Sequence, residues 1–153
     1  MANHLRQQIR EAIGTKVTGL TTTGARVYQS RIYPLSDDEL PCLLISSLQE
    51  QIVSRSEGSW AASVPRITAR TLTVVVKAVA KVTSNLDDIL DTICKEVEAV
   101  LAADRFLSGL TDDLVLNSTQ ISLNGDGEKP LGVAEMVWDC TYWCNETTPD
   151  VKN

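Results

Sequence analysis

The side chains that could carry chemistry are one histidine, four cysteines and three groups of neighbouring carboxylates. His4 is the only histidine of the chain, and nucleophilic catalysis generally needs a base of this kind held near its nucleophile. It falls in the first turn of a predicted helix, in an exposed position. A catalytic Cys–His pair would need one of the cysteines, which we expect in the core, to lie beside this N-terminal residue. We therefore expect no catalytic residue here.

Neighbouring carboxylates occur at 37–39, 87–88 and 112–113. Such groups serve glycoside or metal chemistry only where the fold brings them into one cleft. Each has a structural explanation instead. The first lies in a proline-flanked turn, the second in the first turn of a helix, where the helix dipole favours negative charge, and the third in a loop after Gly109.

Glycine-rich binding motifs are also missing from the sequence. NGDGE at 124–128 lacks the spaced ligands of a calcium loop and is typical of a hairpin turn. Neither a phosphate-binding Gly-x-x-x-x-Gly-Lys nor a Gly-x-Gly-x-x-Gly motif occurs. We therefore expect a protein that is not an enzyme, with no metal and no cofactor.

The four cysteines are expected to be reduced, buried side chains; they are Cys42, Cys94, Cys140 and Cys144. Cys140 and Cys144 fall on one face of a predicted strand, about 13 Å apart at about 3.3 Å per residue. That separation is too large for a disulfide or a shared metal ion. We interpret them as small hydrophobic core residues.

Length and composition indicate one soluble globular domain. The chain has 153 residues, of which 43% are hydrophobic and 22% charged. No apolar run approaches the roughly 20 residues of a membrane span, and the first residues lack an apolar signal core. The sequence therefore predicts a cytosolic product with no membrane partner.

Charge is unevenly distributed along the chain. The net charge of −6 argues against general nucleic-acid binding, which depends on Lys and Arg. Residues 1–81 carry ten basic and six acidic side chains, whereas residues 82–153 carry four basic and fourteen acidic ones. This asymmetry is compatible with ordinary solvation of the surface or with two electrostatically different faces suited to ordered stacking.

Hydrophobic periodicity predicts two helices and five strands. The first helix carries Leu5, Ile9 and Ile13, and the second covers 86–103. Strands are predicted at 25–33, 42–48, 66–82, 113–123 and 132–144. In the third of these the apolar side chains alternate. One face is formed by Leu72, Val74, Val76, Ala78 and Ala80, and the other face is expected to be largely solvated.

The predicted fold is a single α+β domain over 1–145. Its four- or five-stranded mixed or antiparallel sheet carries both helices on one face, in the order helix, three strands, helix, two strands. Residues 49–66 are predicted to be an irregular loop with a lone Trp60, which is either a local anchor or a partner contact. The tail at 146–153 is polar and expected to be frayed.

The stretch RVYQSRIYPLSDDELPCLLI at 26–45 resembles the early strand–turn–strand of the phage minor tail protein U family, the tail terminators of long-tailed phages. In that family an amphipathic helix precedes an Arg/aromatic strand, followed by a proline-containing turn and a strand that starts with Leu-Pro, here Leu40–Pro41. The later order is similar too, with a long strand, a helix, a break at Gly109–Leu110 and two closing strands.

This resemblance implies a virion protein at the head-proximal end of the tail, present in the host cytoplasm during assembly. It would form a homo-hexameric ring on the tail tube protein, stop tube polymerisation and present a surface to the head–tail connector or neck protein, while DNA passes through unbound. Candidate interface residues are Arg31, Asp37, Asp38, Glu39, Arg55, Glu57 and Trp60. The last three belong to the long loop, which we expect to order against the tube or a neighbouring subunit. The alternatives are a head-completion or neck protein, an accessory enzyme or metal-binding protein, and a generic homo-oligomeric binding module.

Overall fold

The computed structural model describes residues 2–31, 36–56, 64–125 and 130–153. Two α-helices are present in these residues, α1 (Leu5–Val17) and α2 (Leu86–Ala103). The strands are β1 (Val27–Gln29), β2 (Cys42–Arg55), β3 (Ile67–Lys81), β4 (Asp113–Asn124), β5 (Leu131–Asn145) and β6 (Thr148–Lys152). The predicted single α+β domain is confirmed, whereas the candidates Glu57 and Trp60 lie outside the described residues.

The strands form one sheet in the order β1-β2-β3-β5-β4, and β6 pairs with β5. Neighbours from β2 to β4 are antiparallel, while β1 runs parallel to β2. The ladder between β3 and β5 extends from Ile67 opposite Asn145 to Lys81 opposite Leu131 without a register shift. Register shifts occur in both flanking ladders, β2–β3 and β4–β5.

Both helices cover the same face of this sheet, as the sequence predicted. The alternating side chains of β3 from Leu72 to Ala80 are all buried there. Fully buried residues from the helices complete the core: Leu5, Ile9, Ile13 and Val17 of α1, and Leu90, Ile93, Val97 and Leu101 of α2. Burial of each leucine or isoleucine contributes about 1.5–3 kcal/mol.

The helix-free face of the sheet is less exposed to solvent than we expected. Thr71, Thr73 and Lys77 are partly exposed on it. Val79, however, is buried with Cys42 and Leu44 in a second, smaller hydrophobic cluster. The prediction of a largely solvated face is therefore wrong near the start of β2, where side chains from β1 and β5 pack around that cluster.

Two segments predicted to be irregular are strands. Residues 49–55 continue β2 and pair with β3 through their backbones, although their side chains are mostly exposed. Register shifts at Ser47/Gln49 and Ile52/Ser54 interrupt the pairing, so the sequence shows no alternation of apolar and polar residues there. The expected frayed tail contains β6, so the described sheet has six strands instead of four or five. Hydrogen bonding stabilises this strand: Gln8 Nε2 donates to the Asp150 carbonyl oxygen over 2.8 Å.

The sheet has two ends, which we name by what they contain. The proline end holds Pro41, the start of β2 and β5 and the end of β3. The far end holds Arg55, the start of β3 and the end of β5. α2 begins at the proline end, because Leu86 and Leu90 pack directly on Gly132 near the start of β5.

Replacing Gly132 by alanine should destabilise the fold. The new Cβ would lie 2.8 Å from Leu90 Cδ1 and 2.9 Å from Leu86 Cγ, so these side chains would have to shift. We expect the free energy of unfolding, measured with urea, to fall by about 1–3 kcal/mol. Gly125→Ala is the matched control, since nothing lies within 4 Å of its added Cβ; equal effects of the two changes would contradict this packing.

Candidate subunit interface

The first candidate residues, Arg31 and Asp37–Glu39, form a compact corner at the proline end of the sheet. Residues Asp37–Glu39 make a short 3-10 turn, in which the Glu39 backbone N–H donates to the Ser36 carbonyl oxygen over 3.0 Å. The Ser36 backbone N–H donates in return to Glu39 Oε2 over 2.8 Å. Glu39 therefore closes the turn and has a structural role in addition to any contact with a partner.

Arg31 holds this corner against the end of β1. Its Nη1 and Nη2 donate to Glu39 Oε1 and Oε2 over 2.7 and 3.2 Å, a two-point contact that fixes both side chains. The guanidinium also lies over the Tyr28 ring, 4.9 Å from the centroid. Hydrogen bonds from Arg31, and then from the Ser36 backbone, lower the pKa of the Glu39 carboxyl.

The two aspartates of the corner lie at the surface. Asp37 Oδ1 is 3.1 Å from Lys81 Nζ at the end of β3, and Asp38 is exposed. Asp87 and Asp88, in the first turn of α2, are exposed at the same end. The proline end therefore presents several carboxylates to solvent.

Arg55 lies at the other end of the sheet. It is the last residue of β2, opposite Thr68, so the expectation that it belongs to a long loop is wrong. Thirteen residues separate it from Cys42, which corresponds to about 40 Å along the strand. Of the described candidate residues, Arg55 thus lies alone at the far end, and the others lie together at the proline end.

The basic and acidic parts of the chain lie side by side in the sheet. The strand order places β1, β2 and β3 on one side and β5 and β4 on the other. They meet in ion pairs, of which Lys77–Glu135 spans 3.0 Å, Arg66–Glu146 3.1 Å and Lys16–Asp104 2.7 Å. The asymmetry is therefore lateral and does not separate two opposite faces.

A polar cluster that sequence reasoning missed ties α1 to the sheet. Glu50 accepts a hydrogen bond from the Tyr142 hydroxyl and another from Arg70 Nη1 over 3.3 Å, and Arg6 Nη1 lies 3.7 Å away. Burial, followed by the bond to Glu50, raises the pKa of Tyr142. Glu50 falls in the stretch predicted to be irregular, so no pattern in the sequence indicated its contact with Arg70.

Three of the buried cysteines have raised pKa values, and His4 caps the first helix. Burial raises the pKa of Cys42 and Cys94 to about 11 and that of Cys140 to about 12, so these thiols are protonated at neutral pH. His4 immediately precedes α1, and its Nδ1 accepts a hydrogen bond from the Arg6 backbone N–H over 3.1 Å. Within the described ranges, no three His, Cys, Asp or Glu residues are grouped to hold a metal ion.

Surface clefts flank the two lateral sides of the sheet. On the β2 side, clefts of about 310 and 370 Å³ share Arg10 and Ser47. On the β4 side, clefts of about 350 and 540 Å³ share Glu98. Their linings differ in charge, with several arginines on the β2 side and several carboxylates on the β4 side.

The sequence matches no protein-family model, and no curated protein is significantly similar to it. In the described parts of the chain, no helix is long and apolar enough to cross a membrane.

The contact of Arg31 with Glu39 predicts a lowered pKa of the Glu39 carboxyl, which can be measured. Because the pKa of Glu39 is lowered, its pairing stabilises the fold above the pKa of the unfolded chain, and this contribution is lost as pH falls through the folded value. An NMR titration should give Glu39 a pKa below its ordinary 4.5. Arg31→Ala should raise that pKa, whereas Arg55→Ala, at the far end, should not; an unchanged Glu39 pKa in Arg31→Ala would contradict the assigned contact.

Proposed function

We propose that this chain is a tail-terminator protein, which forms a homo-hexameric ring on the end of a phage tail tube. The ring stops tube polymerisation and offers its other side to the head–tail connector or neck protein. The protein acts in the virion, at the head-proximal end of the tail, after assembly in the host cytoplasm. It performs this role as a structural protein, without catalysis or cofactor.

The observation that carries the proposal is the order and placement of the elements. An N-terminal helix, the short β1 with Tyr28 and the following Arg31, a corner and the Leu40–Pro41 start of β2 occur in the order on which the resemblance rests. β3, α2, the turn at Leu107–Gly109 and the strands β4 and β5 follow in the same order. β6 is an addition to that order.

A ring of such subunits needs two docking ends and two lateral contacts. We assign docking to the ends of the strands, because the candidate residues lie there. The proline end, with Asp37, Asp38 and Glu39, would contact one axial partner, and the far end, with Arg55, the other. The distance of about 40 Å between them suits a ring held between tube and connector.

Passage of DNA without specific binding is supported by the helix-free face of the sheet. Asp139 accepts hydrogen bonds there from Thr73 Oγ1 over 3.1 Å and from Asn117 Nδ2 over 3.0 Å. Lys77 on the same face is paired with Glu135. Six copies at −6 would carry −36, so the ring as a whole would repel phosphates instead of holding DNA.

The direct test is tail length in a phage whose copy of this coding sequence is deleted. A missing terminator should give overlong tails, because tube subunits continue to add, and electron microscopy of the lysate measures this. Tails of normal length that fail to join heads would contradict the proposal and indicate a head-completion or neck protein. Complementation with the intact chain should restore normal length.

Charge reversal at the proline end tests whether that end docks. Asp38→Lys combined with Asp88→Lys should leave the fold intact, because both side chains are exposed. We expect the variant to fail either in limiting tail length or in joining heads when it replaces the intact chain. The matched variant Asp38→Asn with Asp88→Asn removes charge without reversing it and should fail less. Full function of the lysine variant would contradict docking at this end.

A further inference from the structure

The outer edge of β4 is unusually well suited to pairing with another strand. Residues 114–125 contain no charged side chain and no proline, the two devices with which edge strands normally resist pairing. Asn117–Asn124 are all exposed. Within the described residues, β4 pairs only with β5, so the outward backbone groups of Leu114–Leu123 have no partner strand there.

β4 also carries apolar side chains that the helices leave uncovered. Ile121 lies opposite Ala134, which is fully buried beneath the helix layer, so both point to the helix-covered face. Ile121 is nevertheless 46% exposed, and Leu123 is 53% exposed. On the other face Val115 is 51% exposed. The sheet therefore extends beyond its helix layer at this edge.

The second open edge belongs to β2. β1 covers only Leu43–Ile45, so 46–55 have no outer neighbour within the described part of the chain. Leu48 and Val53 there are 70% and 60% exposed. The sheet thus ends in an open, partly apolar strand on each side.

Strand direction favours joining the two different edges. The pairs β2–β3, β3–β5 and β5–β4 are all antiparallel, so β2 and β4 run in opposite directions. In a ring whose axis follows the strands, rotation preserves strand direction. The β2 of the next copy would therefore lie antiparallel to β4. The antiparallel arrangement of neighbouring strands would thus continue from one subunit to the next.

Charge favours the same pairing. The clefts beside β2 are lined by Arg6, Arg10, Arg31 and Lys77, with Glu50 as the carboxylate. The clefts beside β4 are lined by Asp91, Glu98 and Asp113, with Lys95 and Arg105 as the bases. A β4-to-β2 contact brings together linings with net charges of +3 and −1, whereas a β4-to-β4 contact would oppose two linings that each carry −1.

We infer that the open edge of β4 in one copy pairs with the open part of β2 in the next, a head-to-tail contact between copies of this chain. The inference rests on the ring of the proposed function and names the surfaces that close it. A contact of this type generates a ring when the rotation closes.

Lysine substitutions on each edge should block the pairing, and the mass of the protein in solution measures the effect. Val115→Lys with Ile121→Lys blocks the β4 edge, and Leu48→Lys with Val53→Lys blocks the β2 edge. Each should weaken self-association about 100-fold or more, measured by sedimentation velocity. The matched control is Thr15→Lys with Thr92→Lys, which adds the same charge at exposed positions of the two helices, outside both strands. Circular dichroism should show that all variants remain folded.

Mixing the two blocked variants separates head-to-tail from symmetric contacts. One variant retains an intact β2 edge and the other an intact β4 edge, so the mixture should form one-to-one pairs and stop there. Pairs formed by the β2-blocked variant alone would contradict the inference, because β4 would then pair with itself. An intact chain that remains monomeric at its highest soluble concentration would also contradict it.

The two proposals can fail separately. If intact copies associate through these edges but deletion leaves tail length normal, the terminator function is wrong and the pairing stands. If tails need this chain but both blocked variants still assemble and restore length, the pairing is wrong and the function stands.

Discussion

The uninterrupted antiparallel ladder between β3 and β5 is the constraint on which the rest of the molecule depends. Fifteen residues on each strand pair from Ile67 opposite Asn145 to Lys81 opposite Leu131. Because the register never shifts, alternate side chains of both strands stay on one face over the whole length. That continuous apolar face is what α1 and α2 cover, and the remaining strands are added on either side of it.

The same arrangement explains why the sides of the sheet differ from its centre. The two helices cover β3 and β5 but leave Asn117–Asn124 of β4 and residues 51–55 of β2 uncovered, with exposed side chains on both. Register shifts occur in these flanking ladders and not in the central one. A monomer with a protected centre and two open edges, flanked by clefts of different charge, suits head-to-tail assembly, which links the fold to the proposed ring.

The sequence predicted well wherever burial on one face leaves a periodic signal. The bounds of α2 and the inward face of β3 are as predicted, because apolar residues there follow helical or alternating spacing without interruption. Residues 49–55 carry no such signal, since β2 is mostly exposed there and register shifts at Ser47/Gln49 and Ile52/Ser54 interrupt its pairing with β3. The parallel pairing of β1 and the contact of Glu50 with Arg70 depend on distant parts of the chain, so no local pattern could indicate them.

Amide hydrogen exchange of β4, followed by mass spectrometry from dilute to assembled protein, tests the central claim most directly. Edge pairing should slow exchange across Leu114–Asn124 and across 46–55 on assembly, because outward backbone N–H groups acquire acceptors. Exchange in α2, whose N–H groups are bonded within the helix, should not change. Assembly that leaves β4 exchange unchanged would show that copies join by other surfaces and would contradict the account.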